Sequence, residues 1–367
     1  MKKKFRDNPA VASVLASISS IILGLIFGYL MLIIFNPSKS GNGIQNLLFT
    51  GLASKEKFAK VLYQAAPLIM TGLSVGFAYK TGLFNIGAPG QYTMGAFFAL
   101  YTGIVLKWPW WAALIASMVG GALWGVFPGL FKALFNVNEV ITAIMFNWMG
   151  LFIVNVIMSN VPSILADYYG GSVGNRTANV ATANPDALIP KAGLDKVFSS
   201  PYMNISILIV IAFAIIMYVI LNKTVFGYEL KACGFNKKAS QYAGINANKN
   251  IILSMVIAGA LSGIGGGVYY LAGTVQYTIE KVLLAMGFNG IPVALLANSN
   301  PLGTVFSALF ISYIQVGGES LQPEYAKEII DIIIASIIYL SALSLLMKNF
   351  ISKKLRGSSK QSVKEEK

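Results

Sequence analysis

An all-α, polytopic transmembrane helical bundle of about ten spans is the fold this sequence predicts, and three observations carry the prediction. Of 367 residues, 56% are hydrophobic and 11% charged, where an ordinary soluble domain carries about 25% charged residues. Long stretches contain no Asp, Glu, Lys or Arg at all, and the 28 Lys and Arg residues sit between and beyond those stretches. A net charge of +14 on a polar protein would point to nucleic acid. Interleaved with apolar runs, it points to membrane lipid as the partner and to no nucleic acid.

A helix needs about 20 apolar residues to cross the hydrocarbon. The first run, 11–35, follows Lys2, Lys3, Lys4 and Arg6. Its apolar core is too long for a cleaved signal and no small-x-small site follows, so it reads as a retained signal anchor. Runs at 61–79, 81–106, 108–131, 140–166, 197–222 and 250–279 come next. The stretch 282–318 is too long for one crossing, and Asn298-Ser299-Asn300-Pro301 is a turn signal, which splits it into spans near 283–297 and 302–316. The tenth run is 332–347, reaching back to about 329 if Asp331 lies at the interface. These spans make one transmembrane domain, 11–347, between a cytoplasmic amino terminus, 1–10, and a basic cytoplasmic tail, 348–367.

Orientation follows from charge. With the amino terminus inside, 18 of the 28 basic residues fall on inside segments, so both termini read as cytoplasmic. Five crossings before residue 200 and five after give halves of opposite orientation, the arrangement of an inverted repeat. An extracytoplasmic loop spans about 161–201 and a cytoplasmic loop about 222–250. Glycines at GxxxG spacing (Gly24/Gly28, Gly72/Gly76, Gly121/Gly125/Gly129 and Gly259/Gly263/Gly267) read as places where helices touch backbone to backbone.

Chemistry is narrowed by what the composition omits. There is no His and one cysteine, Cys233, which removes most metal sites, disulfide frameworks and His-dependent triads. No GxxxxGK[ST] loop occurs, so any ATP is handled by another chain and this one is expected to bind no cofactor. Three segments stand out. Thr81 to Gln91 is too rich in Gly and Pro for a smooth helix; it is either a broken helix bordering a path or a plain cytoplasmic turn. Asn138 and Glu139 have the form of an N-cap and a first-turn acid, ahead of Asn147 and Asn155 within the span. In the cytoplasmic loop, a short helix from Lys237 to Ala243, stopped by Gly244, would present small residues and Tyr242 to the surface.

At that loop the sequence resembles a known family. Gly234, Asn236, Ala239, Tyr242, Ala243, Gly244 and Ile245 match the pattern G-x-N-x-x-A-A-x-Y-A-G-I of permease subunits of ATP-binding-cassette importers, in the family that moves ribose, branched-chain amino acids and nucleosides. Ser240 stands in place of the second Ala. Gly82 to Gln91 is similar to the family's GLFNIGAEGQ, with Pro89 in place of Glu, and Asn138 to Met145 to its NEVITTIM. Length, the GLFNIG form and the outside loop most resemble the larger permease of nucleoside importers fed by a surface lipoprotein.

The resemblance implies a cytoplasmic ATPase partner that grips Gly234–Ile245, a second permease subunit in a heterodimer, and an extracytoplasmic substrate-binding lipoprotein; the length and polarity of the outside loop make Tyr168, Tyr169 and Arg176 the expected contacts with that receptor. The chain itself would do no covalent chemistry. For a neutral, hydroxyl-rich solute, amides and aromatics suit a path better than fixed charges, and Phe84, Asn85, Gln91, Asn147 and Asn289 are the candidates. A sugar permease of the same family is the alternative reading. Outside it stand an ion-coupled carrier, which commonly places a titratable group at mid-membrane, an intramembrane enzyme and a passive channel.

Overall fold

The computed structural model describes residues 9–171 and 174–343, with side chains from Leu15 onward. The basic amino-terminal segment and the tail from 348 lie outside the described residues. Thirteen principal helices occur in the order α1 (Pro9–Phe35), α2 (Ser40–Ala53), α3 (Lys55–Lys80), α4 (Ala88–Leu100), α5 (Trp110–Phe135), α6 (Glu139–Ser159), α7 (Ser206–Lys223), α8 (Val225–Phe235), α9 (Lys237–Tyr242), α10 (Ala247–Tyr270), α11 (Ala285–Leu296), α12 (Pro301–Glu319) and α13 (Lys327–Ala342). Only isolated β-bridges interrupt this all-helical fold among the described residues. Every apolar run of the sequence contains a helix. Among the described residues, seven helices are long and apolar enough to cross a membrane: α1 from Leu15, α3, α5, α6, α7, α10 and α12. Helix α11 is shorter, and α4 continues into a π-helical turn, Tyr101–Val105.

Burial sorts the helices. The span of α3 is 94% enclosed by protein and that of α10 is 72% enclosed, whereas α1 is only 22% buried. Apolar side chains on α1 such as Ile22, Ile26 and Leu30 point outward, as a lipid-facing helix requires. The centre is built from small residues, because in lipid close backbone contact replaces the aqueous hydrophobic drive. A Cβ on Gly121 of α5 would overlap the carbonyl oxygen of Gly259 on α10, and one on Gly259 would overlap that of Gly121. Gly95 of α4 lies against Gly263 in the same manner. At these glycines α4 and α5 each meet α10 with nothing but backbone between them. A second core joins the two ends of the chain: Leu32 and Leu47 pack with Ile314, Leu321, Ile333 and Ile337.

Connections alternate between two ends of the bundle. At one end, 81–87, α8, α9 and the 297–300 turn gather; Asn298 and Ser299 there have φ of 51° and 54°, the sharp turn expected between 297 and 302. At the other end the segment between α6 and α7 folds into short helical turns. It is pinned by backbone bonds from Thr177 to the Tyr277 carbonyl (2.9 Å) and from Ile189 to the Leu271 carbonyl (3.0 Å). Asn184 donates to the Gly103 carbonyl (2.8 Å), and Lys107 donates to Tyr169 (2.9 Å) and to the Ala183 carbonyl (2.7 Å). Tyr168 and Arg176 are exposed on this cap. Helix α2 lies at the same end and is a feature the hydropathy pattern did not show. It seats Gly43, Leu47 and Gly51 inward at four-residue spacing, and Gly317 of α12 packs on the Leu47 carbonyl.

Candidate functional site

The candidate docking segment starts with a cap. Asn236 closes α8 and opens α9, its side-chain oxygen accepting from the Ala239 amide at 3.0 Å. Two residues past the end of α9, Gly244 has φ of +81° with open space around it, the stop the sequence indicates. Tyr242 is 94% exposed and Phe235 90% exposed. Asn236, Lys238, Ala239, Ala243 and Gly244 share that open surface, while Ile245 is half-buried. Ser240, the one departure from the family pattern, is turned inward, its hydroxyl donating to the Lys237 carbonyl at 2.8 Å. The substitution leaves the outer face unaltered. The two most exposed rings here, Phe235 and Tyr242, stand at the ends of α8 and α9.

Beneath this surface lies the break in the third run. Helix α3 ends at Lys80, the chain turns through Gly82 at φ +78°, and α4 begins at Ala88 with Pro89 in its first turn. The turn touches the docking segment directly, since a Cβ at Gly82 would overlap the Cα of Gly234. Thr81 bonds hydroxyl to hydroxyl with Ser254 of α10.

The structure brings three of the five path candidates together in one buried network. Asn85 Nδ2 donates to Gln91 Oε1 (2.8 Å), and Gln91 Nε2 returns a bond to Asn85 Oδ1 (3.1 Å). Asn85 Nδ2 also donates to Ser74 Oγ (3.0 Å), whose hydroxyl bonds the Ala258 carbonyl (2.6 Å). Asn147 of α6 accepts from the Gly90 amide (2.8 Å) and donates to the Ile86 carbonyl (3.0 Å), so it caps α4 from a neighbouring helix. Asn85 and Gln91 are wholly buried. Phe84 instead borders a cavity of ≈ 470 Å³ shared with Lys80, Gly82, Glu139, Lys231 and Gly234. Asn289 stands apart, half-buried on α11, a helix whose Gly287 packs on Pro89. A larger cavity of ≈ 880 Å³ opens beside the 297–303 turn, between α1 and α7.

The cap at the head of α6 has the expected form. Asn138 accepts from the Val140 amide (2.8 Å), and Glu139 pairs with Lys132 (2.9 Å). Asn155 is a packing residue: it donates to the Glu280 carbonyl (2.8 Å) and accepts from the Tyr277 hydroxyl (3.1 Å). Burial holds the Tyr277 phenol above the usual tyrosine range. Sequence reasoning did not single out Ser74, Ser254 or Ser262, which tie the break to α10. Ser262 does so by donating to the Ala88 carbonyl at 2.8 Å.

Residues 58–342 match the family described as the branched-chain amino acid transport system permease component. The chain belongs to this permease family. The permease is 34% identical to the guanosine ABC transporter permease protein NupP of Bacillus subtilis, over 94% of this chain and 97% of the relative. It is 32% identical to the nucleoside ABC transporter permease protein NupB of Lactococcus lactis, over 94% and 95%. It is also 31% identical to the guanosine ABC transporter permease protein NupQ of B. subtilis, over 69% and 79%. No solved structure matches it. With its apolar helices, the permease is a multi-pass protein of the cell membrane and the membrane component of an ABC importer.

Proposed function

We propose that the permease carries nucleosides, as one of two different membrane subunits in its importer. The observation that carries this reading is end-to-end similarity to the guanosine and nucleoside permeases, which extends through the loops as well as the spans. Two permease proteins named for guanosine in one organism, NupP and NupQ, both resembling this chain, support a heterodimeric pair. ATP hydrolysis is assigned to a separate cytoplasmic subunit seated on Gly234, Asn236, Ala239, Tyr242, Ala243, Gly244 and Ile245. An extracytoplasmic receptor lipoprotein would deliver solute to the capped end around Tyr168 and Arg176.

In this reading α8 and α9 face the cytoplasm, both termini lie on that side, and ten helices cross in two halves of opposite orientation. The placement of 18 of 28 basic residues on that side supports it. Phe84 and Asn289, which keep open surface, are the candidates for solute contact: one offers a ring face to a flat base, the other an amide that donates and accepts.

The test is uptake. A strain lacking this chain is expected to lose import of labelled guanosine and related nucleosides while import of ribose and branched-chain amino acids persists. Unchanged nucleoside uptake in the deletion strain, with loss of a sugar or amino acid instead, overturns the assignment.

A further inference from the structure

We propose that movement of the docking segment reaches the α3–α4 break through the backbone contact of Gly234 with Thr81–Gly82, and is handed to the Asn85–Gln91–Asn147 network, which sets the position of α4. The proposal rests on the reading of Gly234–Ile245 as the ATPase's seat. It makes the three amides positioning residues for the transport step and removes them from the solute path.

The first argument is stiffness. A long side chain between two segments swings through its rotamers and absorbs small displacements. Here no side chain intervenes, because a Cβ on either Gly82 or Gly234 would overlap the other's backbone. The turn is held from behind as well. The Thr81 hydroxyl donates to the Ala78 carbonyl (2.8 Å) and is bonded to Ser254. A push on the end of α8 therefore displaces the 81–87 turn as a unit.

The second argument is where that turn leads. Three residues beyond Gly82, Asn85 is locked to Gln91 on the first turns of α4, and Asn147 grips the same start from α6 through the Gly90 amide and the Ile86 carbonyl. Room is short: a Cβ on Gly90 would come within 2.8 Å of the Asn147 Cα. Buried polar networks whose members are all partnered adopt discrete arrangements, which is what a switch between two pore states needs.

The third argument concerns solute. Each oxygen and each nitrogen of these three amide groups already has a protein partner, and Asn85 and Gln91 have no exposed surface. A solute would have to displace those bonds to reach them, leaving the Gly90 amide, the Ile86 carbonyl or a partner amide buried and unpaired.

The complete importer, with its second permease, ATPase and receptor, is reconstituted in vesicles, and solute uptake and ATP hydrolysis are measured together. Asn147→Ala is expected to keep receptor-stimulated hydrolysis within twofold of the parent. Uptake per ATP hydrolysed should fall about tenfold, the factor that losing one buried hydrogen-bond partner corresponds to. The KM for solute should stay within twofold. Gly234→Ala should give the same split; should it not assemble, Asn147→Ala decides alone. Parallel loss of uptake and hydrolysis, or a KM raised tenfold with the ratio intact, overturns the proposal. Tyr242→Ala in the same preparation reports on the seat itself. ATPase that stays bound and fully active with Tyr242 removed would refute the docking reading, independently of the Asn147 result.

Discussion

Asn155 ties a helix to a loop at the capped end, and its contribution can be worked out from two bonds. Asn155→Ala removes the acceptor of the Tyr277 hydroxyl at 3.1 Å and the donor to the Glu280 carbonyl at 2.8 Å. Each bond contributes about 0.5–1.5 kcal/mol net, so the direct loss is about 1–3 kcal/mol. Interhelical bonds measured in a membrane protein average only ~0.6 kcal/mol, which places the expected value in the lower half of that range. Tyr277 is fully enclosed, however, so its hydroxyl cannot turn to water when Asn155 is gone. Tyr277→Phe removes that orphan.

The two changes are therefore expected to be less than additive, with a coupling energy of about 1 kcal/mol, or roughly fivefold in the unfolding equilibrium. The assay is denaturant unfolding of the purified permease and its three variants, followed by tryptophan fluorescence in one detergent. Additivity within about 0.3 kcal/mol would refute the claim that the phenol depends on this amide.

Three further outcomes are expected. Gly121→Ala, whose new Cβ meets the Gly259 carbonyl, should lower the thermal midpoint and yield sharply, at an overpacking cost of about 1–3 kcal/mol. Gly129→Ala, whose nearest atom would be a Met255 side-chain carbon at 3.1 Å, should be milder; equal effects would argue against backbone contact between α5 and α10. Ala239→Leu lies on an exposed turn and should alter stability by less than about 0.5 kcal/mol while abolishing co-purification of the ATPase, which affinity capture from membranes measures. Finally, burial raises the folded-state pKa of Tyr277 above its unfolded value of about 10, so its stabilising share is complete below pH ~10 and is lost as pH rises beyond it. Tyr277→Phe should soften the loss of stability above pH ~10 in a pH-dependent unfolding series, and an unaltered alkaline profile would count against it.

Much of the bundle was legible because lipid imposes a length and a composition on each crossing. The 297–300 turn was readable from Asn298-Ser299-Asn300-Pro301, and the α6 cap from Asn138, since both are set by local backbone chemistry. Helix α2 escaped notice because its Ser40, Gly41, Asn42 and Gly43 are poor helix formers, and its inward row becomes meaningful only against α12. The candidate docking segment was visible as a motif, whereas the inward turn of Ser240 appears only in the fold. The amide network was not. Asn85 and Gln91 are six apart, a spacing that faces neither way on a regular helix, and they meet only because the chain breaks between them. Ser74, Ser254 and Ser262 carried no signal, since a serine in a spanning helix commonly bonds its own preceding turn.

The pairing of α1 with α13 bears on how the molecule is made. Gly24 and Gly28 lie against Ile337, and Leu32 shares a core with Ile333. At about 5–20 residues per second, the ribosome reaches Ile337 roughly 15–60 s after Gly24 has emerged. Throughout that interval Gly24 and Gly28 lack the residues they pack against. Insertion chaperones or bulk lipid must cover them until synthesis is nearly complete, so a nascent chain halted before α13 should be far more exposed to quality-control proteolysis than one halted just after it.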